Sequence, residues 1–337
     1  MKKKGLIEKM LMRDPANEDF SVSQFPENRG KLFLYMLKNK FSKIYVNHLI
    51  TALFFLPLIV WGVLTVGYTD WIFSLEAREG ITHFVEYWFT VYITAIPMWV
   101  IAFVGLSGGL NIIRKLAWSD PVMIKADFLQ GIKASGVQMA QVGLLWGVGY
   151  ALIRYAIDWL GFYYRVFDSS YSVVFGIFVC IFLMLCLVGI TVYMACMSSL
   201  YKVTFGQLLI GSFKLYFADF FLASGVILLC LAPILILMLT GYAITLLIAY
   251  LLLLLLLIGI ILIPMLLVCH HTFDRIINKK DYPSYYGRGL SYGEHPGGQT
   301  NVGEEDDNYS VDSDSDTENK KLIENDFERV SDDENRC

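Results

Sequence analysis

The stretch that decides the fold is IYVNHLITALFFLPLIVWGVLTVGY, residues 44–68, an apolar run free of Lys, Arg, Asp and Glu. A bilayer's hydrocarbon core is about 30 Å thick and takes about 20 mostly apolar helical residues to cross. This run meets that length. Five more follow, at about residues 87–113, 137–160, 171–197, 220–239 and 242–269. The third carries Arg154 and Asp158 in its outer third, and the sixth includes an all-leucine stretch at residues 251–257. Unpaired backbone groups are not tolerated in lipid, and none of the runs alternates as barrel strands do, so all six read as helices. The expected fold class is all-α: a polytopic transmembrane helix bundle of six spans, with amphipathic cytosolic loop helices and a disordered acidic tail. Around the membrane domain (44–269) this places a basic cytosolic arm with an interfacial helix (1–43), a cytosolic juxtamembrane segment (270–290) and the tail (291–337).

Composition agrees. The 337 residues are 56% hydrophobic and 17% charged, with a mean hydropathy of +0.53, which excludes a pair of ordinary soluble domains. The net charge of −4 hides a division. Through Val302 there are 23 basic and 17 acidic residues, and from Gly303 onward 4 and 14, so a body of +6 precedes a tail of −10.

Basic residues are retained on the cytosolic side of a membrane protein. The N-terminal arm holds ten, from Lys2 to Lys43. Arg114, Lys115, Lys125 and Lys133 follow the second span, Lys202 and Lys214 the fourth, and Arg275, Lys279, Lys280 and Arg288 the sixth. The opposite loops hold only Arg78 and Arg165. Both termini are therefore expected in the cytosol. The charged arm ahead of the first apolar run argues against a cleavable signal peptide. The cysteines, at 180, 186, 196, 230, 269 and 337, lie within spans, at a span end or in the tail, a placement that suits neither a disulfide framework nor a zinc site.

Outside the lipid, residues 1–12 read as a short basic amphipathic helix and residues 30–45 as an interfacial one. Ser119, Asp120 and Pro121 read as a helix start, opening an amphipathic loop helix with Val122, Ile124, Phe128, Leu129 and Ile132. The loop of residues 199–219 has a similar pattern, and the pair raises the question of a parallel repeat. From about residue 290 the chain has too little apolar surface to offset chain entropy.

Ionisable groups inside a membrane are the first functional suspects. Arg154 and Asp158, four apart on one helix face, either line a polar path or pair at the interface with the arginine reaching outward. His270, His271 and Asp274 could hold a divalent metal, but they lack the Glu of the H-E-x-x-H motif; hydrogen bonding at the interface is the plainer reading. Asn47 and His48 are read the same way, and Asn111, Gln138 and Gln141 as interhelical hydrogen-bonders. Pro57, Pro97, Pro233 and Pro264 fall in spans, and Ser107, Gly108 and Gly109 permit close helix approach. No nucleotide fingerprint or nucleophile elbow is present. No enzyme activity, cofactor, metal or nucleic-acid partner is expected.

The segment GLSGGLNIIRKLAWSDPVMIKADFLQGIKASGVQ, residues 105–138, resembles the YesL-like family of bacterial integral membrane proteins, a family of unknown function. Its D-F-x-x-G-x-K element is matched by Asp127, Phe128, Gly131 and Lys133, and the likeness covers roughly residues 31–290. The acidic tail is not part of it. The resemblance implies a bacterial plasma membrane and an association with carbohydrate uptake and utilisation, and it carries over no catalytic residue. The expected function is an accessory or regulatory component of such a system, with the bilayer, transporter subunits or a second copy as partners. The alternative is a small-solute transporter or channel subunit.

Overall fold

The computed structural model describes residues 25–73, 77–166, 171–239, 243–252 and 258–291. The expected helix at 1–12, the tail at 292–337 and residues 253–257 of the leucine run lie outside them. Helix α1 (Arg29–Asn39) is followed by α2 (Phe41–Phe73), α3 (Ala77–Thr94), α4 (Ile96–Ala117), α5 (Ile124–Val166), α6 (Tyr171–Leu200), α7 (Phe205–Ala218), α8 (Phe220–Leu239), α9 (Ala243–Leu252) and α10 (Ile258–Phe273). A π turn (Asp274–Asn278) extends α10, and a short 3-10 turn (Pro283–Tyr285) follows. Among the described residues, six stretches are long and apolar enough to cross a membrane: Phe41–Thr65, Glu86–Ala117, Ile124–Tyr164, Tyr171–Leu200, Phe220–Leu237 and Ile258–Asp281. The chain has the architecture of a multi-pass membrane protein.

Helix α4 is the centre of the packing. Gly105 and Gly109, one turn apart, receive Phe54 and Thr51 of α2; a Cβ on them would meet those side chains at 2.3 and 2.6 Å. Gly108 receives the Phe128 ring of α5. On α5, small residues recur every fourth or eighth position at Gly131, Ser135, Gly143 and Gly147. A Cβ on Gly131 would sit 2.8 Å from the Ser107 carbonyl oxygen, one on Gly143 3.0 Å from Val100 Cα, and one on Gly147 3.3 Å from Ile96 Cα. Lipid tails are as apolar as leucine, so helix association in a membrane depends on close van der Waals contact; small residues permit it.

Two sequence expectations change here. Ser119 and Asp120 close α4 rather than open the next helix. Ser119 takes a left-handed conformation (φ 60°), Asp120 N–H donates to the Lys115 carbonyl at 2.9 Å and Ser119 N–H to Leu116 at 3.3 Å, the Schellman pattern of a helix end. Second, the expected loop helix is not a separate element. It is the first part of α5, which runs 43 residues without a break. The loop before α8 does form its own helix, so the two loops differ in architecture. Thr204 and Gln207 make a capping box at the start of α7, and Asp219 separates its end from α8. Tyr216 anchors α7: its ring crosses Gly189 of α6, and its hydroxyl lies 2.8 Å from Ser224 of α8.

Beyond the π turn, the Tyr- and Gly-rich segment folds back as a strap across the end of α4. Gly289 (φ 83°) has no room for a Cβ, which would meet the Ala117 carbonyl oxygen at 2.1 Å. Leu290 is buried, and Ser291 N–H donates to the Pro26 carbonyl at 3.1 Å.

The α4–α5 seam predicts a contrast between two glycines. Gly131→Ala presses a methyl group on backbone and lowers stability by about 1–3 kcal/mol. Gly225→Ala in α8 meets open space and is neutral or stabilising by up to about 1 kcal/mol. SDS titration of the purified variants in detergent measures both; equal effects would contradict the seam.

Candidate functional site

The polar groups gather at two ends of the bundle. Lys133, exposed on α5, marks the basic end. Arg154 lies further along the same helix by about 30 Å at 1.5 Å per residue, about one bilayer core away. The Arg154 pair therefore sits about one bilayer core's length from the basic end.

There the sequence-predicted pair is joined by Tyr92 of α3. The Tyr92 hydroxyl donates to Asp158 Oδ2 at 2.6 Å and accepts from Arg154 Nη2 at 3.3 Å, and Arg154 reaches Asp158 Oδ1 at 3.3 Å. The guanidinium also stands over the Tyr92 ring, 5.7 Å from its centroid. Arg154 is 37% exposed and Asp158 15%, so the arginine leans outward from a carboxylate that is held inside. Trp88 stacks on Tyr92, and Tyr150, Trp146 and Trp99 extend the cluster with centroids under 6 Å apart. Amphipathic rings of this kind collect at membrane boundaries. The arrangement can hold a fixed charge pair in a half-buried aromatic setting.

At the basic end the family-like motif is packing chemistry. Asp127 in the first turn of α5 accepts from Met123 N–H and from Lys115 Nζ, both at 2.7 Å. Phe128 fills the space over Gly108, and Gly131 makes the backbone contact described above. Lys133 is exposed and points away from the other three. Asn111 links the same two helices, donating to the Asp127 carbonyl at 2.8 Å, and Gln138 donates to the Val203 carbonyl, whereas Gln141 is exposed. Asn47 donates to the Gly109 carbonyl at 3.2 Å, and His48 Nδ1 accepts from Gly259 N–H at 3.1 Å, tying the first span to the second and the last.

The residues His270, His271 and Asp274 are not brought together. His270 is buried beside Trp118, His271 is exposed, and Asp274 is held by Arg29 at 2.5 Å and Asn278 at 2.8 Å. Among the described residues no group of three His, Cys, Asp or Glu side chains is placed to hold a metal ion.

Sequence reasoning missed what lies around Trp118. Arg114 and Arg288 stand over its ring at 5.3 and 4.6 Å, Tyr285 and His270 lie 5.4 and 6.0 Å away, and Arg29 joins through Asp274 and the Arg288 carbonyl. The signal available was a tryptophan four residues after an arginine at a span end, and one arginine inside a glycine-rich strap. Lys40, between α1 and α2, donates to the Leu116 carbonyl at 2.8 Å and to Ser119 Oγ at 3.1 Å. Burial, reinforced by repulsion from Lys43 and opposed by Asp120, pushes its pKa down to about 8. Compared with known proteins, the chain matches no family model, no curated protein and no solved structure.

Two predictions follow from this geometry. Tyr92→Phe leaves the half-buried Asp158 without its best donor and lowers stability by about 1–3 kcal/mol in SDS titration; no change would mean the triad is not formed. Above pH 8 the folded chain has released a Lys40 proton that the unfolded chain keeps up to its ordinary pKa of 10.5. Stability therefore rises with pH across that window, by on the order of 3 kcal/mol at most. The part of the rise due to Lys40 is absent in Lys40→Met, and identical pH profiles for the two proteins would contradict the assignment.

Proposed function

We propose that the chain is a non-enzymatic accessory or regulatory component of a bacterial plasma-membrane system for carbohydrate uptake, with its basic end and both termini in the cytosol. The orientation rests on the positive-inside rule, and the link to sugar uptake rests on the sequence resemblance of residues 105–138. The observation that carries the accessory role is α7. One face of this helix is pinned into the bundle by Leu208, Ser212, Leu215 and Tyr216, while Ile210, Phe213 and Phe217 stand 59%, 52% and 42% exposed on the other. Meanwhile four carboxylates at that end are occupied within the chain: Asp120 by Arg288, Asp127 by Lys115, Asp219 by Arg275 and Asp274 by Arg29. Beside the exposed Lys214 the basic end also presents this apolar ridge outward, suited to packing on another membrane subunit.

Affinity purification in mild detergent tests this reading. Transporter subunits should co-purify with the wild type and be lost in the Phe213→Arg, Phe217→Arg double variant. Recovery of the protein alone, from membranes that contain the transporter, would contradict it. A second reading, a small-solute transporter or channel subunit, is favoured by the Tyr92–Arg154–Asp158 arrangement; solute flux in liposomes that vanishes in Arg154→Ala would replace the first reading with the second.

A further inference from the structure

We propose that the basic end carries a recognition site for a phosphate-class oxyanion, built by Arg114, Arg29 and His270 around the Trp118 indole. Four separate parts of the chain supply it: the start of α1 (Arg29), the last turn of α4 (Arg114 and Trp118), the end of α10 (His270) and the strap (Arg288).

The first observation is a charge imbalance. Three arginines meet two carboxylates. Asp274 takes Arg29 at 2.5 Å, and Asp120 takes Arg288 at 3.2 Å. Arg114 donates instead to the Ser199 carbonyl and to Asn111 Oδ1, and among the described residues it has no carboxylate at ion-pair distance. One guanidinium charge of the cluster is left without a counter-ion.

The second observation is a set of buried nitrogens. Arg29 Nε, Arg114 Nε and His270 Nε2 are each shielded from solvent and lack a hydrogen-bond partner among the described residues. His270 itself is 3% exposed, and Arg29 and Arg114 are its charged neighbours. Buried donors are nearly always satisfied, so a cluster of unsatisfied ones points to a missing acceptor. The π turn at Asp274–Asn278 begins one helical turn after His270. It sets Asp274 on Arg29 and Asn278 on the Tyr201 hydroxyl, and insertions of this kind concentrate at functional sites.

The donor set selects the ligand. Guanidinium groups match phosphate oxygens in geometry as well as charge. The two arginine Nε–H donors, with His270 in its Nε2–H tautomer, suit the three unprotonated oxygens of hydrogenphosphate or of a phosphomonoester dianion better than the two of a carboxylate. A doubly charged anion also satisfies Arg114 and offsets the repulsion among the three arginines, while Asp120 and Asp274 stay neutralised by their own partners. Arg288 and Asp120 are 26% and 18% exposed, so the strap is the side on which the cluster meets solvent and from which an anion would enter.

Binding to the full-length protein in detergent decides the proposal. One arm titrates inorganic phosphate against chloride at matched ionic strength by calorimetry. The other measures retention of phosphatidic acid against phosphatidylcholine by native mass spectrometry. Saturable one-to-one binding in the phosphate arm identifies a free anion, and binding only in the phosphatidic acid arm identifies a lipid headgroup. Either is expected to weaken at least about tenfold in Arg114→Gln. Should that variant fail to fold, Arg114→Lys keeps the charge, removes Nε and should also weaken binding. Failure of the wild type to bind saturably in either arm, or undiminished binding by the folded arginine variants and by His270→Gln, would overturn the site.

Discussion

The structure depends on the close approach of two backbones. Water cannot drive helices together inside a bilayer, so contact must be won by shape. Here α4 supplies Gly105 and Gly109 to one neighbour and Gly108 to the other, while α5 lays Gly131, Gly143 and Gly147 along the backbone of α4. The polar links lie along the same helices. Asn47 reaches the Gly109 carbonyl, and Asn111 reaches the Asp127 carbonyl, because no side-chain bulk keeps the helices apart. With α2, α4 and α5 locked, the end of α4 becomes a fixed platform. The strap, α1 and the end of α10 then converge on Trp118.

The two ends handle charge differently. At the far end Arg154, Asp158 and Tyr92 satisfy one another, and the arginine keeps part of its surface outside. At the basic end the cations outnumber their buried partners. A half-buried guanidinium without a counter-ion is costly, and the fold has accepted that cost at Arg114 in a setting where an indole, an imidazole and two further arginines surround it. Such an arrangement is easier to understand as a receptor for an anion than as a device for stability, since apolar residues of the same volume would serve stability as well or better.

Much of this was legible in the sequence. Uncharged run length set the number of spans, because that constraint comes from bilayer thickness and is independent of tertiary detail. The sixth, however, expected at 242–269, is Ile258–Asp281 among the described residues, with Ala243–Leu252 a helix of its own. The Arg154–Asp158 pairing followed from helical spacing, and the tight packing at Ser107, Gly108 and Gly109 from residue size. Tyr92 was not legible. Its role depends on how α3 lies against α5, and no local spacing encodes that. Ser119 was misread because a helix stop and a helix start share the same polar residues, and only the left-handed φ distinguishes them. The cluster around Trp118 was hidden for a related reason: its members are up to 259 positions apart, as Arg29 and Arg288 are, and each alone resembles an ordinary basic flank.

The central claim is that the segment after α4 belongs to one continuous helix seated on the glycine seam, with the basic end built on top of it. Hydrogen exchange of the backbone amides between Phe128 and Ser135, in the detergent-solubilised protein, tests this most directly. The account predicts protection there as strong as between Val137 and Gly147 further along the helix. Exchange at the rate of an exposed loop from residue 128 to residue 135, with protection beginning only near Val137, would contradict it.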